Sequence, residues 1–296
     1  MGGILINTIF RTRSKTWTEI QSNLLFVGLI ELVIYNGGLD IKYWVQRRID
    51  FFTPLVGPEY GIYYNANFWI IIPILLSLAF MALTCPGALR VFTEGSFTRK
   101  LKSLGTGFLL GFAFLGLATL LAVLTGTISF SYSRFEWQII PILLPLFIQC
   151  AAEEILLRGY VPAVLGRKHS WDVVCFVSGA LFIFHHIVNM AYFGFNTMFA
   201  LDVFLLGVLL CLLVRWEGNF WIACGFHTAW NYTQTYLFAT SNSGEPSNVG
   251  LFRGTVNASD GFYQEIYGYE GSIFVAALVG VAILWLIYRL RKEGKL

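Results

Sequence analysis

Long apolar runs separated by short polar ones dominate this chain. Ile62–Thr84, Leu104–Phe130, Trp137–Leu157, Trp171–Tyr192, Thr197–Val214, Phe220–Ala239 and Ser272–Tyr288 are each predicted to cross a bilayer as a helix, which takes about 20 apolar residues. Leu24–Gly38 is shorter and holds Glu31, so as a span it is marginal. With it the expected count is about eight. Residues 40–61 mix Trp44, Arg47, Arg48, Phe51 and Phe52 and read as an interfacial segment. Pro73, Pro141 and Pro145 fall inside spans, where neighbouring helices can satisfy the freed carbonyls. Gly107 and Gly111 make a GxxxG spacing suited to close helix packing.

Composition narrows the class. The chain is 56% hydrophobic and only 12% charged, with mean hydropathy +0.66, against about 25% charged in soluble domains. The expected fold is all-α: one polytopic membrane helical bundle over residues 1–296, with a polar cavity inside it and a functional core at about 137–240. Five scattered cysteines and no CxxC pair indicate neither a disulfide framework nor a zinc knuckle. Residues 1–20 carry Arg11, Arg13 and Lys15 without a small-residue cleavage site, so they read as a cytoplasmic arm rather than a signal peptide.

Charge then sets orientation. Fifteen of the twenty Lys and Arg fall to the side holding 1–20, 85–103, 158–171, 215–218 and the tail 289–296; Lys42, Arg47, Arg48, Arg134 and Arg253 fall to the other. Both termini are therefore expected in the cytoplasm, from the cytoplasmic membrane of a prokaryote or the ER membrane of a eukaryote. The acid-rich loop 241–271 would face outward, with a glycosylation sequon at Asn257-Ala258-Ser259. Membrane lipid is an expected partner; nucleic acid is not.

The informative residues are polar ones where lipid disfavours them. Glu153 and Glu154 end the run that starts at Trp137. Glu154 and Arg158 are spaced i,i+4 and can pair, while Glu153 is turned about 100° away, free for another partner. The fifth span carries Phe182, His185, His186 and Asn189, with Phe182/His186 and His185/Asn189 on shared faces. His227 and Asn231 share a face of the seventh; His169 alone of the four histidines lies in a loop. Each singly has an ordinary reading as an interhelical hydrogen-bonding group, and Arg158 as a snorkelling boundary residue. Asp202 and Glu31 are assigned to packing or marginal insertion. Co-occurrence on three spans favours one functional pocket.

Such a pocket has the parts to activate water against a carbonyl. Glu153 would take the proton, His186 would hold the water or share the proton, and His227 with Asn231 would donate to the developing oxyanion. No Ser or Cys sits beside them as a nucleophile. Glu153-Glu154-x-x-x-Arg158-Gly159-Tyr160, Phe182-x-x-x-His186 and His227-x-x-x-Asn231 also resemble the three signatures of the CAAX-protease and bacteriocin-processing (CPBP, or Abi) family of intramembrane endopeptidases. The segment 215–221 resembles what precedes the family's last motif. The likeness covers residues 149–231.

The resemblance implies an eight-helix fold with a cytosol-accessible conical cavity and a catalytic set of Glu153, His186, His227 and Asn231. It implies Glu154 and Arg158 as supports, with Arg158 able to meet a substrate carboxylate, and a prenylated (CAAX-type) or hydrophobic peptide as substrate. The Phe-x-x-x-His register selects His186, with His185 as the spare. No cofactor is expected. Glu153, His186 and His227 could ligate zinc, but no HExxH is present, and Asn231 suits an oxyanion better than a metal. Two other classes compete. A proton-coupled transporter would also use intramembrane Glu and His, although no inverted repeat relates the halves. A non-catalytic immunity or scaffold protein could keep the same fold.

Overall fold

The computed structural model describes Glu19, residues 23–257 and 263–296. The basic arm of residues 11–15, the side chain of Glu31, and Ala258, Ser259 and Asp260 of the outer loop and its sequon lie outside the described residues. Seven described helices are long and apolar enough to cross a membrane: α1 (Leu24–Gln46), α2 (Pro58–Thr84), α3 (Phe97–Leu124), α4 (Trp137–Leu165), α5 (Trp171–Phe193), α6 (Thr197–Glu217) and α8 (Ile273–Lys292). Between α6 and α8 runs α7 (Trp221–Tyr232), extended by π-helical turns to Leu237. The polytopic helical bundle expected from the hydropathy pattern is therefore present, with two small two-stranded sheets added to it.

Element ends follow local chemistry. The Ser96 side chain accepts from the Arg99 N–H and starts α3 seven residues before the predicted Leu104. That helix stops at Leu124 rather than Phe130. The chain turns at Gly126 (φ 74°), and the alternating Ile128-Ser129-Phe130-Ser131-Tyr132 forms β1 (Ile128–Tyr132). This strand pairs antiparallel with β2 (Phe252–Val256). A shorter hairpin joins β3 (Tyr263–Gln264) to β4 (Gly268–Ser272). Asn196 and Ser272 cap α6 and α8, and Gly218 ends α6 in the left-handed conformation.

The largest departure is at the first span. Instead of ending at Gly38, α1 continues helical to Gln46, carrying Lys42 into the bundle and leaving Asp40 exposed. The interfacial segment shrinks to the stretch before Pro58, with one short helical turn at Thr53–Val56.

Glycines set the packing that holds α7. A Cβ on Gly107 would lie 2.0 Å from the Ile222 carbonyl oxygen, one on Gly111 2.3 Å from that of Phe226, and one on Gly225 2.0 Å from that of Leu104. The backbones of α3 and α7 thus touch along the GxxxG face. This fixes the depth of the helix bearing His227 and Asn231.

The two ends of the bundle are distinct. At one, Arg215 donates to the Lys295 carbonyl (2.8 Å), Arg99 to the Glu217 carbonyl (3.4 Å), and Arg291 pairs with Asp172 (3.6 Å). The loops following α3 and α7 meet at the other through the β1–β2 pairing.

Candidate active site

Glu153 and Glu154 end the regular α-helical part of α4, and residues Ile155–Tyr160 widen into π-helical turns. Glu154 is fully buried. One of its oxygens accepts from Arg158 (3.0 Å) and stands 2.9 Å from His227 Nδ1. A carboxylate only accepts, so Nδ1 carries the proton and Nε2 is left as the free nitrogen. Arg158, also 0% exposed, donates to the Gly207 carbonyl as well (3.3 Å) and lies over the Phe182 ring at 4.4 Å. Nη1 and Nη2 are engaged by these contacts, Nε has no hydrogen-bond partner, and the side chain does not line the cavity.

Glu153 is turned the other way, as the helical spacing predicted. Its carboxylate accepts from Gln149 and is 3.7 Å from His185 Nε2. His185, the spare candidate, is thus the imidazole paired with Glu153. His186 sits at a break in α5, between Trp171–His185 and Ile187–Phe193, with Nδ1 2.8 Å from the Phe182 carbonyl oxygen. The carbonyl fixes Nδ1 as the donor and leaves Nε2 free. Phe182 packs edge-on to both His186 and His227, at centroid distances of 4.8 and 5.9 Å. Asn231 donates to the Gln149 side-chain carbonyl (3.4 Å), and its own oxygen has no hydrogen-bond partner.

Glu153, Phe182, His185, His186, His227 and Asn231 all line one cavity of about 730 Å³. All eight residues singled out from sequence therefore gather here: six on the cavity wall, with Glu154 and Arg158 behind it. Among the described residues no three His, Cys, Asp or Glu side chains gather as metal ligands would. Asp202 stands apart, accepting from the Ser272 N–H (2.9 Å) in the packing role expected of it.

Sequence reasoning missed four wall residues. Gln149 precedes Glu153 by one helical turn and joins it to Asn231, a spacing that was legible. Tyr35 places its ring 3.8 Å from His185; it lies inside the predicted span Leu24–Gly38, where a tyrosine carries no signal of its own. Lys42 lines the cavity from the same helix, beyond the end at Gly38 that hydropathy gives that span. Glu270, from the outer loop, accepts from Trp230 (3.2 Å) and Ser243 (2.5 Å). It carries no sequence signal.

The wall is completed by Lys42, Tyr43 and Gln46 of α1, Ile62 of α2, and Asn242, Ser243, Glu245 and Pro246 from the segment between α7 and α8.

Residues 135–233 match the family model for the type II CAAX prenyl endopeptidase Rce1-like family. Over that stretch the match agrees with the CPBP resemblance carried by the three motifs. The matched third of the chain contains all three motifs and both glutamates. No curated protein and no solved structure matches it. Rce1-like proteins are a protease family, which implies an intramembrane endopeptidase of the CAAX-protease type acting among lipid.

Proposed function

We propose that the chain hydrolyses one peptide bond of a lipidated (CAAX-type) or hydrophobic peptide drawn into the 730 Å³ cavity. The observation that carries this reading is the division of labour between adjacent carboxylates. Glu154 is spent on holding Arg158 and His227, while Glu153 faces open volume beside two imidazoles. Glu153 takes a proton from water as the water oxygen bonds to the peptide carbonyl carbon. His185 beside it, or His186 through its free Nε2, holds that water. The oxyanion is met by Asn231 and by His227, whose Nε2 donates when the ring is protonated. The proton on Glu153 passes to the amide nitrogen as the C–N bond breaks, giving an acid and an amine. No step calls on a metal or other cofactor.

Replacing Glu153 by Gln keeps the shape and removes the base. Purified protein should lose turnover of a quenched hydrophobic or farnesylated peptide by about 10²- to 10⁴-fold. Unchanged turnover would remove Glu153 from the chemistry.

The Lys/Arg bias supports both termini in the cytoplasm.

A further inference from the structure

Gln149 bridges two side chains to which the chemistry is assigned. It precedes Glu153 by one turn of α4, and its Nε2 donates to Glu153 Oε1. On the other side its Oε1 accepts from Asn231 Nδ2 of α7 (3.4 Å) and from the Cys150 thiol (3.3 Å). Gln149, Glu153 and Asn231 all line the cavity.

The order of donors and acceptors along this bridge is forced. An ionised carboxylate only accepts, so Gln149 must turn its NH2 group to Glu153 and its carbonyl to α7. That carbonyl can be met only by the NH2 group of Asn231. The Asn231 amide is therefore oriented from α4: among the described residues its hydrogen bonds run to Gln149 and to Cys150 Sγ (3.6 Å). These two acceptors lie 3.3 Å from each other, on one side of a nitrogen whose two hydrogens diverge. One hydrogen serves both, and the second is left to donate.

The same bridge sorts the oxygens of Glu153. Oε1 faces Gln149 and His185, whose Nε2 is 3.7 Å away. Oε2 is buried without a hydrogen-bond partner, so it is the oxygen open to a proton. We infer that Gln149 is a positioning residue for hydrolysis. It aims Glu153 Oε2 at the water and the second Asn231 N–H at the oxyanion. This rests on the peptidase reading above and adds a residue that none of the three motifs contains. A side chain serving only the packing of α4 on α7 would change stability and substrate binding. One that aims reacting groups changes kcat at constant KM.

Two variants separate these roles. Gln149→Met keeps the length and removes both hydrogen bonds; Gln149→Glu keeps the acceptor for Asn231 and removes the donor to Glu153. Each is assayed beside wild type in detergent on a quenched farnesylated peptide and a quenched unprenylated hydrophobic one. Binding of two labelled, uncleavable analogues of these peptides is read by fluorescence anisotropy. The ketomethylene keeps a ground-state carbonyl; the phosphinate carries charged tetrahedral oxygens like those of the intermediate. Gln149→Met should lower kcat by about 10- to 100-fold with KM within about threefold of wild type. Gln149→Glu should fall in the same direction. Wild type should hold the phosphinate at least about tenfold tighter than the ketomethylene. Gln149→Met should lose that margin while melting at the wild-type midpoint. Wild-type kcat in both variants overturns the inference and leaves the peptidase reading standing. So does a loss of kcat matched in both by weaker ketomethylene binding and a lowered midpoint. If wild type cleaves no peptide, the peptidase reading fails and the binding arm decides. A phosphinate preference lost with Gln149 then supports the positioning, and its absence from wild type overturns it.

Discussion

Glu153 and Glu154 are adjacent in sequence and opposite in task, because a helical step of 100° sends them to different partners. Glu154 is a buried acceptor shared by Arg158 and His227; Glu153 looks into the cavity. Their substitutions should therefore fail differently. Arg158→Met leaves a buried carboxylate short of its cation and should cost about 3–5 kcal/mol, seen as a lowered midpoint of thermal unfolding in detergent. Glu153→Gln should leave that midpoint within a few degrees while turnover collapses; a midpoint falling as far as for Arg158→Met would make Glu153 structural. The three motifs were legible because ionisable residues in apolar runs stand out at 12% overall charge. Which of His185 and His186 meets Glu153 was not, since both lie on neighbouring faces and a break in α5 at His186 decides the aim of each ring. Lys42 was hidden for a simpler reason. A charge near the end of a marginal span reads as a loop.

Spans are written in sequence as runs of apolar residues, and their existence was readable; their ends obey caps and turns that hydropathy does not weigh. Ser96 lengthened α3 at its start and Gly126 shortened it at the far end. Nor can a 3.6-residue pattern reveal the π-helical segments Leu32–Asn36, Ile155–Tyr160 and Thr233–Leu237. The first and third line the cavity with Tyr35, Asn36, Thr235 and Tyr236, and the second directly follows Glu153 and Glu154; such segments commonly mark functional sites. The GxxxG spacing on α3 was weak as a motif, yet it decides where α7 sits. Gly111→Val should push α7 off α3, lowering stability by about 1–3 kcal/mol and displacing His227 enough to reduce kcat. A variant with wild-type melting and kcat would refute that role for the crossing.

Glu270, on β4 outside the spans, makes the outer loop sensitive to pH. Burial holds its carboxyl above the ordinary value of 4.5, partly offset by the Ser243 hydroxyl. A raised value means the folded state binds the proton more tightly. Its stabilising contribution is complete below 4.5 and is lost as pH rises through the raised value. Glu270→Gln should flatten that limb of the stability–pH curve, measured by thermal melts across mildly acidic to neutral pH. An unchanged slope would remove Glu270 as its source.

At the scale of the whole molecule, one end gathers Arg99, Arg215, Arg291 and the C-terminal tail and the other the β1–β2 pairing. Cysteines introduced singly at Arg253 and Lys295 should report which end faces the cytoplasm in sealed cells, since all five native cysteines are buried. An impermeant thiol reagent should label the first and spare the second until the membrane is opened; the reverse would invert the orientation read from the charge bias. The helical bundle was legible from hydropathy. The share of the cavity wall supplied by α1 and the outer loop was not, because it comes from Tyr35, Lys42 and Glu270 rather than from any motif.

The most direct test of the central claim is cleavage of quenched farnesylated and unprenylated hydrophobic peptides by the purified protein in detergent. Wild type, Glu153→Ala and His227→Ala would each be assayed with and without a chelator. We expect wild-type turnover that survives the chelator and is lost in both folded variants. Chelator-sensitive turnover would contradict the metal-free chemistry. Wild-type inertness toward every peptide, or Glu153→Ala turning over at the wild-type rate, would contradict the glutamate-dependent peptidase itself.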